Sequence, residues 1–101
     1  TELQKLRRAI DVYFARNENQ PPTITTGDKT WGPIVAGDGF YLKSPPRNAY
    51  LPGEAQTLIE ASSSAVPDET YQEETGWIYN SATGEIWAGG FDEQDRPIPK
   101  P

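Results

Sequence analysis

The chain has 101 residues, a length that suits one domain with a single modest core. Its net charge of −6 argues against binding to nucleic acid, because phosphates call for a basic surface. It contains no Cys and no His, which excludes thiol chemistry, the usual general base and every Ser-His-Asp triad.

Residues 1–17 contain the clearest predicted helix. Its apolar side chains recur at spacings of three and four, which places them on one face of an α-helix; they are Leu3, Leu6, Ile10, Tyr13 and Phe14. We interpret this stripe as core, since an amphipathic helix in a small domain must cover its sheet, rather than as a bare partner-binding face. Arg7 and Arg8 lie off the stripe and are the candidates for contacts with a partner.

The charges are unevenly distributed along the chain. Residues 1–16 hold four basic and two acidic side chains, a balance of +2, whereas the rest holds five basic and thirteen acidic ones, a balance of −8. A basic helix joined to an acidic head could make complementary contacts between copies, although solubility alone would explain much of this pattern.

Residues 17–39 have no clean period and are predicted to form a loop with one short helix or turn, anchored to the core by Trp31, Ile34 and Val35. Asp28 and Asp38 follow glycines and are interpreted as turn residues. Residues 40–43 are short and apolar. Residues 57–61 are a plausible strand, and the acidic stretch at residues 67–74 is predicted to be a solvated loop.

Residues 76–88 carry the strongest β signal. Two runs of aromatic and β-branched residues, at 77–79 and 85–88, flank a five-residue turn that ends in Gly84, which is typical of a hairpin. We therefore predict one α+β domain over residues 1–101, with an N-terminal helix packed on a small antiparallel sheet. The sheet region spans residues 40–91, and the Pro-rich residues 92–101 form a tail.

Three segments resemble the major pseudopilin of type II secretion, a member of the type IV pilin-like superfamily. Residues 6–22 (LRRAIDVYFARNENQPP) are similar to the end of the family's long helix and its first loop. Residues 39–50 (GFYLKSPPRNAY) are similar to its next motif, with Arg47-Asn48-Ala49 where the family has Asp-Pro-Trp-Gly. Residues 76–88 (GWIYNSATGEIWA) resemble an ending found in divergent pseudopilin-like proteins.

The resemblance implies a structural subunit of a periplasmic pseudopilus or pilus-like filament in protein secretion. The precursor would carry a leader removed by a prepilin peptidase and an apolar helix half in the bacterial inner membrane, and residues 1–17 would be the C-terminal half of that helix. The implied partners are other pseudopilin subunits, secretion-system components and, through the missing helix, the membrane; the visible domain would be periplasmic.

Two further interpretations remain open. Because the family binds calcium near its C-terminal strands, Asp92 and Asp95 are candidate Ca²⁺ ligands, against an ordinary solvated acidic tail. The alternative function is a non-catalytic extracytoplasmic binding module that uses a Trp/Tyr-rich sheet face for a glycan or peptide, although Trp31, Trp77 and Trp87 are better explained as core.

No arrangement of residues in the sequence points to catalysis. Ser62, Ser63 and Ser64 have no His or Lys near them in the sequence, and the paired carboxylates Glu73 and Glu74 lie in the acidic stretch. Glycosidase chemistry needs two carboxyls held in a cleft, which this pattern does not predict. We therefore do not expect an enzyme.

Overall fold

The computed structural model describes residues 1–28, 30–35 and 39–101, so the turn prediction for Asp38 lies outside the described residues. Within them the chain forms one α-helix, α1, at Glu2–Arg16, followed by short 3₁₀ helices at Gly32–Ile34 and Gly53–Thr57. Three strands follow: β1 at Ile59–Ser62, β2 at Trp77–Asn80 and β3 at Ile86–Ala88. The predicted helix over residues 1–17 and the α+β class are confirmed.

Local hydrogen bonds are present at both ends of α1. The Thr1 side chain accepts a hydrogen bond from the Gln4 amide at 3.2 Å and the Gln4 side chain accepts one from the Thr1 amino group at 3.2 Å, which is a capping box. At the other end the Asn17 side chain donates to the Tyr13 carbonyl at 2.8 Å, and Glu18 and Asn19 adopt positive φ angles of 56° and 60°. Left-handed backbone at two successive residues ends the helix.

The sheet has the order β1-β2-β3 and is mixed rather than antiparallel, so the prediction of an antiparallel sheet is wrong for one of its two pairings. β1 runs parallel to β2, with Ile59 opposite Trp77, and β2 runs antiparallel to β3, with Ile78 opposite Trp87. Parallel neighbours need a connection of about a dozen residues or more, and residues 63–76 supply one. This long connection lets the chain return across the sheet, so that β2 begins at the same end of the sheet as β1.

The predicted hairpin at residues 76–88 is confirmed by the antiparallel pairing of β2 with β3. Its turn is built from local contacts. The Asn80 side chain accepts hydrogen bonds from the amides of Ala82 and Thr83, at 2.9 and 3.1 Å. Gly84 has a φ of 82° and donates its amide to the Asn80 carbonyl at 2.8 Å. The predicted strand at residues 57–61 is displaced, because Gly53–Thr57 is a 3₁₀ helix and β1 begins at Ile59.

The core lies between α1 and one face of the sheet. α1 contributes Leu6 and Ile10, as the stripe predicted, and also Ala9, which was not part of the predicted stripe. Leu3 and Tyr13 of the stripe are partly buried against the same cluster. The remaining buried members of the cluster come from the loops and strands; they are Ile24, Trp31, Ile34, Ile59, Trp77, Tyr79, Ile86 and Ala88. Phe14, the last residue of the predicted stripe, is half-buried.

The three Trp residues have different environments. Trp31 and Trp77 are each 1% exposed and meet edge to face, with ring centroids 6.4 Å apart. Their indole N–H groups donate to backbone carbonyls, Trp31 to Thr57 and Trp77 to Pro46 and Gln56. Trp87 is half-buried and pairs with Ile78 on the other face of the sheet. The preference for core over binding face is confirmed for Trp31 and Trp77.

Candidate interaction surfaces

Arg7 is occupied within its own chain. Its Nε and Nη2 atoms donate to the Ile86 carbonyl at 3.3 and 2.9 Å, and its guanidinium forms two further bonds with the Asp95 carboxylate at 2.6 and 3.0 Å. The side chain therefore joins α1 to β3 and to the C-terminal loop. Arg7 is thus engaged in the fold and is not presented to a partner, whereas the other predicted candidate, Arg8, is exposed.

The outer side of α1 is basic and partly apolar. Lys5 pairs with Glu2 at 3.4 Å, and the Arg16 guanidinium lies 4.6 Å from the centre of the Phe40 ring. Val12 is 38% exposed and Phe40 is 56% exposed. A groove of about 290 Å³ separates the helix from residues 40–42. We call this region the basic surface, made of Lys5, Arg8, Val12, Arg16 and Phe40.

Phe40 is positioned by aromatic neighbours. Its ring meets Tyr41 edge to face at 4.9 Å, and Tyr41 in turn lies 5.5 Å from Tyr13 on α1. The backbone here is tied down as well, because the Leu42 amide donates to the Ile34 carbonyl at 3.0 Å. These contacts hold the segment beside the outer side of the helix.

A second surface is acidic and lies between the β1–β2 connection and the C-terminal loop. A groove of about 500 Å³ is lined by Val66, Pro67, Asp68, Glu69, Asp92, Glu93 and Gln94. Val66 is 68% exposed. We call Val66, Asp68, Glu69, Asp92 and Glu93 the acidic surface.

The acidic connection is a surface loop with defined internal hydrogen bonds. Asp68 accepts from the Gly90 amide at 2.8 Å and from the Gln72 side chain at 2.9 Å. Gln72 also accepts from the amides of Glu74 and Thr75, and the Asn80 side chain donates to the Ala65 carbonyl. The loop is therefore held against the ends of the hairpin.

The two candidate calcium ligands are already used by donors of this chain. Asp92 accepts hydrogen bonds from the amides of Gln94 and Arg96 at 2.9 and 3.0 Å. The bond from the Arg96 amide is the main cause that lowers the pKa of Asp92. Both carboxylate oxygens of Asp95 are bound to Arg7.

Ca²⁺ takes six to eight oxygen ligands, usually several of them carboxylates. In the described parts of the chain no three acidic side chains come together as a metal site would need. The residues present around Asp92 and Asp95 therefore do not fit a calcium ion.

A cluster that the sequence did not reveal holds the C-terminal residues. The ring of Tyr50 lies 5.0 Å from Phe91 and 5.8 Å from Tyr71, and the Lys100 ammonium lies 4.7 Å from the centre of the Tyr50 ring. The Tyr50 hydroxyl donates to the Ile98 carbonyl at 2.6 Å. Burial, together with the hydrogen bond to Glu73, raises the pKa of Tyr71 to about 12.

The remaining predicted residues lie in several different parts of the described structure. The hydroxyls of Ser62 and Ser64 are 3.1 Å apart, and Glu73 accepts a hydrogen bond from the Tyr71 hydroxyl. Asp28 lies in an exposed bend. Trp31 and Trp77 are buried in the core and cannot contribute to the predicted Trp/Tyr-rich binding face. Trp87 is partly exposed.

Comparison with known proteins found no matching family model, no matching curated protein and no matching solved structure. Among the residues that the structure describes, no helix has both the length and the apolar character to cross a membrane.

Proposed function

We propose that this chain is a non-catalytic structural subunit of a pilin-like filament, of the type II secretion pseudopilin class. The observation that supports the proposal best is the division of α1 into two faces. One face, with Leu6 and Ile10, is buried on the sheet, while the opposite face exposes Arg8 and Val12. A subunit that packs by a shared helix needs both a face for its own head and a face for its neighbours.

The resemblance of residues 6–22, 39–50 and 76–88 to the pseudopilin family, in the family's order, adds to this support. In the proposal, α1 continues an apolar helix half embedded in the bacterial inner membrane, and the head lies in the periplasm. Neighbouring subunits and other components of the secretion system are the partners. Calcium forms no part of the proposal, because Asp92 and Asp95 are bound to donors of their own chain.

The gene sequence upstream of the Thr1 codon tests the proposal. We expect a short basic leader that ends in Gly, followed by an apolar run with Glu at the fifth position of the mature chain. An ordinary signal peptide or a further folded domain in that place would contradict the pilin class and favour the binding-module alternative.

A deletion strain provides the functional test. Loss of the gene is expected to stop export of the secreted proteins of that system while their synthesis continues. The intact gene should restore export. A complementing gene with Leu6→Asp should not, because a carboxylate would replace a side chain that is 0% exposed in the core. Unchanged export in the deletion strain would contradict the proposal.

A further inference from the structure

The exposed large hydrophobic side chains are confined to two places. Among the described residues they are Val12, Phe40 and Val66, exposed to 38, 56 and 68%. Val12 and Phe40 belong to the basic surface and Val66 to the acidic surface. Val12 and Phe40 line one groove and are exposed together beside charged side chains, which is typical of interaction sites. Val66 is the single exposed large apolar side chain that the acidic surface contributes.

The charges around these side chains are opposite in sign. Within the described ranges, Arg8 and Arg16 on the basic surface form no ion pair, and neither do Glu69 and Glu93 on the acidic surface. Glu2, which pairs with Lys5, and Asp11 border the basic surface. Arg96, which pairs with Asp92, borders the acidic one, so each surface also has charges of the other sign beside it. The balance nevertheless makes the two surfaces complementary.

One copy cannot bring its own two surfaces together. Among residues 1–28, 30–35 and 39–101 none lines both grooves, and the basic surface is turned away from the sheet because the other side of α1 covers the core. A contact between the surfaces must therefore join two copies. Since the two surfaces differ, a single contact of this kind is head-to-tail and leaves one surface of each type free for a further copy, so repeating it gives a closed ring or an open chain of copies.

We propose that the acidic surface of one copy docks on the basic surface of the next, and this contact rests on the proposed filament function. Val66 enters the groove beside Val12 and Phe40 of the neighbouring copy. Glu69 and Glu93 face the neighbour's Arg8 and Arg16. The apolar contact supplies the buried area, and the charges determine which surface meets which.

Cysteine cross-linking tests the contact directly, since the chain contains no Cys of its own. Two single variants, Val12→Cys and Val66→Cys, are mixed and oxidised. The disulfide is expected between the two variants, and a chain that carries both substitutions should give a ladder of oligomers. Either single variant alone should stay monomeric. Cross-links within one variant, or none at all, would overturn the proposal.

Charge reversal tests the charged part of the contact. In the Cys background, Arg8→Glu with Arg16→Glu should lower the cross-linking yield about tenfold or more, because like charges then face each other. Adding Glu69→Arg and Glu93→Arg on the partner should restore it. Circular dichroism of each variant checks that the domain is folded, and a yield that ignores the reversal would contradict the contact.

The outcomes separate this contact from the function on which it rests. If a pilin-type leader is found upstream of Thr1 but the cross-link does not form, the proposed filament function stands and the proposed contact is wrong. If the cross-link forms but no such leader is found, the head-to-tail contact stands and the proposed secretion filament is wrong.

Discussion

Asn48 joins three parts of the chain that are distant in sequence. It is 5% exposed, and its side-chain amide donates to the carbonyls of Gly76 at 2.9 Å and Gly89 at 2.8 Å, while its oxygen accepts from the Tyr50 amide. Gly76 and Gly89 precede β2 and follow β3, so one side chain ties the loop before Tyr50 to both ends of the hairpin. A Cβ at either glycine would lie about 2 Å from a backbone oxygen, which explains why both positions are Gly.

Replacing Asn48 by Ala should therefore destabilise the domain. The Gly89 carbonyl would lose its described donor, and the Gly76 carbonyl would keep only the Gly89 amide. We expect a loss of about 2 kcal/mol in the free energy of unfolding, measured by urea titration. The exposed Gln20→Ala variant is the control and should change it by less than about 0.5 kcal/mol. Equal effects of both substitutions would contradict this role of Asn48.

Because of Tyr79, the free energy of unfolding is expected to fall at alkaline pH. Its side chain is 0% exposed and its hydroxyl donates to the Pro22 carbonyl at 2.7 Å. Burial raises the pKa of Tyr79 from 10.0 to about 12. Because the folded state holds the proton more tightly than the unfolded state, the corresponding stability is complete below pH 10.0 and is lost as the pH rises toward 12.

We expect Tyr79→Phe to weaken this alkaline loss, measured as the unfolding free energy across that pH range. The variant should be somewhat less stable at neutral pH, because it lacks the bond to Pro22. Tyr41→Phe keeps the Tyr79 hydroxyl and should behave like the unchanged protein. An equally steep alkaline loss in Tyr79→Phe would show that another group is responsible.

At the scale of the elements, Arg7 covers the free edge of β3. An exposed strand edge is a site for pairing with other chains, and a charged side chain over it prevents that pairing. The Ile86 carbonyl accepts two bonds from Arg7, which is itself held by Asp95. The other edge of the sheet is also occupied, because Ile59 on β1 is bridged to Gly27.

Arg7→Met should keep much of the packing and remove the bonds to Ile86 and Asp95. We expect a loss of about 1–2 kcal/mol in unfolding free energy, since the ion pair with Asp95 is 36% exposed on each side and contributes little by itself. The uncovered edge should also increase aggregation, followed by light scattering. Arg47→Met, at an exposed arginine outside both surfaces, is the matched control, and similar behaviour of the two variants would contradict the role given to Arg7.

Elements built from neighbouring residues could be predicted from the sequence. The spacing of apolar residues predicted α1, and the Asn80 to Gly84 turn predicted the hairpin, because both depend on local contacts. The parallel β1–β2 pairing was missed, since residues 63–76 show no periodic pattern and the sequence gives no sign of where a long connection ends.

The interaction surfaces could be predicted only in part. Spacing predicted that Arg7 and Arg8 leave the apolar stripe, but not that Arg7 reaches over to Ile86, a residue 79 positions away. Asn48 and the contact of Tyr50 with Lys100 also depend on tertiary contacts between single residues in loops, for which the sequence carries no local signal.

At the scale of the whole molecule, the charge asymmetry of the sequence becomes a spatial one. The basic residues of α1 lie on its outer side, and acidic residues of two loops meet around Val66. Because the proposed contact combines opposite charges that are exposed to solvent, salt should screen it. We expect the Val12→Cys and Val66→Cys cross-linking yield to fall as sodium chloride is raised. A yield that rises with salt would indicate a purely apolar contact instead.

Calcium offers a separate test on the whole domain. Since Asp92 and Asp95 are occupied by donors of their own chain, adding Ca²⁺ should leave the thermal unfolding midpoint unchanged. Mg²⁺ is the control for a general effect of divalent charge. A midpoint raised by Ca²⁺ and not by Mg²⁺ would show that the C-terminal loop rearranges to bind the metal.

The bond between Arg7 and Asp95 joins residues 88 positions apart, nearly the two ends of the described chain. A ribosome therefore makes Arg7 long before Asp95. Asp95 can hold Arg7 over the edge of β3 only after residue 95 has left the exit tunnel, so this part of the fold forms late relative to α1.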